Sequence, residues 1–162
     1  MSTRLTDSQI ERLIGERKQL PGDYRSRLRL REKRGHDEQE LDIQGEGGSA
    51  FQIILRKNRI NPLDFSVILG CFPELSGQLF RLRRYNGKSH EHTNQIERVT
   101  FYDFHIHQAT ERYQDLGLRE DAWAVATNQY GDFDGALAHM LSDCNFQLPE
   151  DPQQPLFGPQ PW

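Results

Sequence analysis

Four of the chain's six histidines fall within 18 residues, as the pairs His90-Glu-His92 and His105-Ile-His107. Imidazole titrates nearest neutrality of all side chains, so it moves protons at physiological pH and ligates metals when neutral. Three chemistries use such a set. General acid/base cleavage of RNA needs one imidazole to take the 2′-hydroxyl proton and a second to protonate the leaving oxygen. It also needs a cation for the charge that develops on the phosphoryl group. Arg83, Arg84, Lys88 and Arg112 stand close in sequence, and Tyr85 and Tyr113 offer rings on which a base would stack. Metal binding is the second chemistry. His90-x-His92 followed by Glu97 matches the first half of a cupin motif, although that motif's later Pro-Gly and His elements are missing. The third is binding without catalysis, with Arg25, Arg27, Arg29 and Arg31 as a phosphate track.

Position decides which of these the residues serve. Phe101 to Gln108 reads as a strand, with Tyr102, Phe104 and Ile106 on one face and Asp103, His105 and His107 on the other. Neighbours on one strand face are roughly 7 Å apart, close enough to meet on one ligand. Asp103 is then placed to orient His105, as carboxylates do for catalytic or metal-bound imidazoles. His90 and His92 fall in a polar segment after the turn dipeptide Asn86-Gly87 and read as loop residues. The plainer alternatives are histidines on a solvated sheet face, exposed loop histidines, and an arginine ladder that is only a wet strand face. Nucleophilic hydrolysis has no support: there is no G-x-S-x-G, and neither Cys71 nor Cys144 neighbours a base. Gly45 to Gly48 lacks the Lys and helix of a phosphate loop.

The elements that must carry these residues follow from periodicity. Ser8-x-x-Glu11 is a capping box ahead of Ile10, Leu13 and Ile14, which predicts a helix over 8–19 stopped by Pro21-Gly22. The period then drops to two. Arg25 to Lys33 alternates basic and apolar residues as a strand does, with a turn over 35–38 and a partner strand over 40–44. Gly45 to Ser49 is a flexible loop by composition. Strands follow over 51–56, 65–70, 78–83 and 101–108, and a helix over 132–142 carries Phe133, Ala136, Leu137 and Met140 on one face. The expected fold is α+β: an N-terminal helix, an antiparallel sheet of about six strands and a C-terminal helix, as one domain over 1–148. Residues 149–162, with five prolines, read as a flexible tail.

At 162 residues the chain is one domain's worth, and a mean hydropathy of −0.80 implies a modest core. Two distant cysteines exclude a disulfide framework, and both read as buried thiols. No apolar run approaches the roughly 18 residues of a spanning helix, and the first 20 residues lack a signal-peptide core, so the expected location is cytoplasmic with no membrane partner. The net charge of −4 hides an asymmetry. Residues 1–34 carry ten Lys/Arg against five Asp/Glu, whereas 99–162 carry two against ten. Such a division marks either a polyanion-facing surface or two halves that pair with each other.

Arg84-Tyr85-Asn86 followed by Ser89-His90-Glu91-His92, ahead of an acidic closing helix, resembles the TumE-type toxins of bacterial and archaeal toxin–antitoxin pairs. The resemblance covers residues 78–107 and extends to Arg84, Tyr85, Asn86, His90 and His92. The second H-x-H pair and the extra sequence at both ends depart from it. It implies a small ribonuclease neutralised by a cognate antitoxin protein. The leading expectation is therefore a toxin-like protein that binds RNA and cleaves it as a metal-independent ribonuclease, with no cofactor. His90, His92, His105, His107 and Asp103 would be its catalytic set. Arg83, Arg84, Lys88, Tyr85, Arg25, Arg27, Arg29 and Arg31 would contact nucleic acid. The alternatives are a non-catalytic interaction protein that uses its basic sheet face, and a His-ligated metal enzyme.

Overall fold

The computed structural model describes residues 3–73 and 77–150; most of the expected Pro-rich tail lies outside them. The architecture is α+β. A seven-stranded antiparallel sheet runs in the order β10-β9-β6-β5-β4-β3-β2, and helices from both ends of the chain contribute to its core. Its strands are β2 (Arg31–Lys33), β3 (His36–Gln44), β4 (Ala50–Asn58), β5 (Phe65–Cys71), β6 (Phe80–Asn86), β9 (His105–Gln108) and β10 (Ala124–Ala126). Two short pairs stand apart: β1 (Lys18–Gln19) runs parallel to β11 (Phe146–Gln147), and β7 (His92–Asn94) forms a hairpin with β8 (Val99–Phe101). Among the described residues no helix is long and apolar enough to cross a membrane.

The first helix, α1 (Asp7–Gly15), is shorter than its apolar period suggested and is capped two residues earlier. Thr6, not Ser8, accepts the Gln9 N–H, and the Gln9 side chain answers to the Thr6 N–H. Ile10 and Ile14 bury against the sheet. After the short α3 (Glu111–Asp115), the closing helix, α4 (Phe133–Asp143), starts at Asp132, whose carboxylate accepts the Gly135 N–H at 2.7 Å. Phe133, Ala136 and Met140 fill the core, and the Met140 side chain alone is worth roughly 1.5–3 kcal/mol of transfer free energy. Cys71 and Cys144 are buried free thiols, as expected.

The arginine ladder does not exist as a strand face. Arg25 and Arg27 lie in a single helical turn, α2 (Tyr24–Arg27), and of the four arginines only Arg31 is in a strand. Pro21-Gly22-Asp23 opens that turn. The Asp23 carbonyl takes the Arg27 N–H and the Ser26 hydroxyl, and Tyr24 and Leu28, four residues apart, both reach the core. Local i→i+4 bonds win over the period-two pattern. The β2–β3 reversal is the two-residue turn Arg34-Gly35, both at positive φ, so β3 begins four residues earlier than the sequence suggested. The glycine loop after β3 is also held, since the Glu16 carboxylate accepts from Gly47 N, Ser49 N and the Ser49 hydroxyl.

Candidate metal centre

The centre of the sheet is built so that one of its faces is apolar and the other carries the histidines. Alternation along β9 sends Ile106 into the core and puts His105 and His107 on the opposite side. The antiparallel partner β6 sets Arg84 beside His107 and Asn86 beside His105. That register depends on a bulge. The β5–β6 pairing slips between Leu69 and Gly70, opposite Leu82, so the parity of β6 changes there. Phe80 and Leu82 lie in the core, and so does Tyr85, which frees Arg84 and Asn86 for the histidine face. After β6 the chain turns at Gly87, whose N–H donates to Phe65 O, and the following Lys88 N–H donates to Leu63 O. A Cβ at Gly87 would stand 1.9 Å from the Leu63 carbonyl oxygen, so only glycine allows this approach.

The β7–β8 hairpin brings the first histidine pair over this face. Asn94 clamps it in place: its amide nitrogen donates to Ala124 O at 2.7 Å, and its Oδ1 accepts Ala124 N at 2.8 Å. This two-point bond fixes which end of the amide is oxygen. The same Oδ1 lies 2.8 Å from His92 Nε2, so that nitrogen must carry the proton and Nδ1 is left as an acceptor. The other two rings obey the same logic. His105 Nδ1 donates to Asp103 O and His107 Nδ1 to Asp121 O, each at 2.8 Å, which leaves both Nε2 atoms with a lone pair. His105 Nε2 is buried and has no hydrogen-bond partner among the described residues.

The three rings form one cluster. His92 stacks on His105 at 5.3 Å between centroids, and His107 meets them edge-on at 4.8 and 5.0 Å. One nitrogen from each ring lies within 4.8 Å of the others. His105 and His107 are buried, and burial is the main reason their pKa values fall, to about 4 and about 2. The Asp103 carbonyl works against this for His105; Arg84 adds to it for His107. Both imidazoles are therefore neutral at pH 7.

A cavity of about 390 Å³ opens beside the cluster, lined by His90, His92, His107, Arg84, Arg119 and Asn86 among others. His90 stands outside the triad, its ring 6.1 Å from that of His105 and its Nδ1 3.1 Å from the Ser89 hydroxyl. Beneath the cavity Asp121, wholly buried, faces both Arg84 Nε at 3.2 Å and Arg119 at 3.5 Å.

The structure thus brings together His90, His92, His105, His107 and Arg84. It does not bring together the rest of the expected set. Asp103 is exposed, because the chain breaks between β8 and β9; its carbonyl, not its carboxylate, orients His105. Arg83 and Tyr85 lie on the α4 side of the sheet, where both reach the Asp143 carboxylate, and Tyr85 has no exposed surface on which a base could stack. Lys88 sits over the Tyr102 ring at 6.0 Å. Glu97, the cupin-like carboxylate, is taken up by Arg112 and the Tyr113 hydroxyl. The unforeseen residues are Asn94, Asp121 and Arg119. Only Asn94 had any sequence signal, two positions after His92.

Comparison of the chain with protein-family models, with curated proteins and with solved structures finds no match.

Proposed function

We propose that this protein is a metal-dependent enzyme in which His92, His105 and His107 hold one divalent transition-metal ion, zinc by ligand type. One observation carries the reading. Each ring has one nitrogen committed as a donor to an oxygen acceptor, so three basic nitrogens are left in a single partly buried cluster. A buried acceptor with no donor, as His105 Nε2 is, is a costly arrangement unless a cation fills it. A zinc ion bound at about 2.0–2.1 Å would need its ligand nitrogens about 3.3 Å apart, so nitrogens now up to 4.8 Å apart would close by as much as about 1.5 Å. His92, half-buried on the hairpin, is the ring with room to make that move.

Three protein ligands would leave a fourth position open, and the chemistry such an ion would supply there is activation of water near neutral pH. His90, on the cavity wall beside the triad, is placed to take or return the proton. Zinc titration of metal-free, untagged protein tests the reading. One equivalent is expected, lost in His107→Ala; less than about a tenth of an equivalent would end it.

A second reading keeps the protein a toxin-like ribonuclease that works without metal and is neutralised by an antitoxin. It is supported by His90, Arg84 and Arg119 lining one cavity. Its acid must then be His90 or His92, since His105 and His107 are held neutral. RNA cleavage that survives exhaustive chelation would favour it.

A further inference from the structure

We propose that the cavity seats a small substrate through an oxyanion, a phosphate ester or a carboxylate, held by Arg84 and Arg119 on one wall and by the triad's metal ion on the other. This rests on the metal reading above. The first argument is what the two arginines leave unused. Two nearby arginines are each spent on a carboxylate of their own, Arg83 on Asp143 at 2.6 Å and Arg112 on Glu97. Arg84 and Arg119 instead share one carboxylate, that of Asp121, through single contacts of 3.2 and 3.5 Å. Neither oxygen of Asp121 receives a hydrogen bond of good geometry, and Arg84 Nε is likewise unpartnered. Asp121 therefore holds the two guanidiniums by charge at the cavity wall and leaves most of their N–H forks for a ligand. A planar fork matches an oxyanion in bidentate fashion.

The second argument is charge. All three proposed ligands are neutral imidazoles, so the ion would keep its full double charge. Asp64 on the wall and the buried Asp121 offset the two arginines, and no further carboxylate lines the cavity to offset the metal. An anion in the open coordination position would. The third argument is size. About 390 Å³ accommodates a small molecule and not an extended strand, and the arginine track that would have carried an RNA chain is absent. Asp121 also ties the two subsites together, because its carbonyl fixes His107 while its carboxylate holds the arginines.

The test is calorimetric titration of inorganic phosphate, and separately of acetate, into the zinc-loaded full-length protein and into the metal-free form. The zinc content of each sample is measured first. One equivalent of anion should bind the loaded protein, with affinity lower by at least about tenfold in the metal-free form. Tighter phosphate than acetate assigns the phosphate-ester class, and the reverse order assigns carboxylates. Arg119→Gln, in an exposed side chain, should weaken the anion by about tenfold with zinc stoichiometry unchanged. Arg84→Gln should do the same, and Arg119→Gln decides the matter if that variant does not fold. Zinc-loaded protein that binds neither anion, or Arg119→Gln that binds as tightly as the parent, overturns the anion seat while the metal reading stands. A protein that takes up no zinc overturns both.

Discussion

Among the described residues two places bury polar side chains, and they do so in opposite ways. Lys18, on β1, has no exposed surface, yet its ammonium group lies 2.8–3.0 Å from four carbonyls, those of Leu13, Ile14, Glu16 and Cys144. The first two end α1 and the last follows α4, so one cation closes the C-termini of both helices, where carbonyls lack helical partners. It also sits 4.5 Å over the Phe51 ring. Burial lowers its pKa to about 8, which still leaves it protonated at pH 7. The histidine cluster is the inverse. Its ring N–H groups are all used, one nitrogen of each ring lies within 4.8 Å of the others, and the buried His105 Nε2 has no hydrogen-bond partner among the described residues. A buried polar group whose every bond is made holds the fold together; a cluster whose bonds are left open on one side is held by the fold for something else.

The widest separation between the two should come from deleting each in turn. Lys18→Met keeps the length of the side chain but strands buried carbonyls at two helix ends. The expected loss is about 3–5 kcal/mol, or a fall in Tm of roughly 10 °C, read by thermal and urea unfolding. The zinc affinity of the protein that remains folded should not change. A loss under about 1 kcal/mol would mean that Lys18 contributes no more than an exposed pair.

Metal should move stability from the other side. If only the folded chain gathers the three imidazoles, free zinc at a hundred times its Kd adds about 2.7 kcal/mol to unfolding. His107→Ala should abolish that gain. A zinc-dependent Tm that persists in His107→Ala would place the metal elsewhere. Asn94→Ala should have a smaller effect, weakening zinc by about tenfold to a hundredfold. Asn94 touches no metal, but it fixes the proton on His92 and clamps the hairpin to Ala124. Asn94→Asp keeps the acceptor for His92 and gives up the amide donor, so it should recover part of the affinity by zinc titration.

What local pattern can encode explains which parts of this site were legible beforehand. The α+β class, the closing helix and the two faces of β9 follow from periods of 3.6 and 2, which need only neighbours in sequence. Arg25 to Arg31 misled because the same residues satisfy a strand period while Pro21-Gly22-Asp23 starts a helical turn; the turn bonds are local and win. Arg83 and Arg84, both expected to contact nucleic acid, lie on opposite faces of β6, and the bulge opposite Leu69/Gly70 decides which of them faces the histidines, which no alternation can announce. Asn94 and Asp121 act on partners 30 and 14 residues away, Asn94 through its side-chain amide on the Ala124 backbone and Asp121 through a carbonyl that every residue possesses. No local pattern announces either pairing.

The smallest expected effect at neutral pH is the most discriminating. His105→Leu removes a buried ring whose Nε2 bonds to nothing and exchanges it for a side chain that needs no bond. The only bond lost is to the carbonyl of exposed Asp103, which water can replace. In metal-free protein at pH 7 the stability should therefore change by less than about 1 kcal/mol in either direction, against several for Lys18→Met. Acid makes the difference larger, and the sign is fixed by the pKa values. Folded His105 titrates at about 4, below its ordinary 6.5, so between those values the unfolded chain binds a proton that the folded chain refuses. Stability falls as pH drops through that window, by about 1.4 kcal/mol per unit for one such group. His107 adds a like slope over a wider range, down to about 2. Lys18 adds none, because it stays protonated in both states below pH 7. His105→Leu should thus lower the slope of unfolding free energy against pH by about 1.4 kcal/mol per unit between pH 6 and 4.5, measured by urea unfolding without metal. Identical slopes in parent and variant would show that His105 takes up its proton while folded, and the contrast between the two buried clusters would fail at that residue.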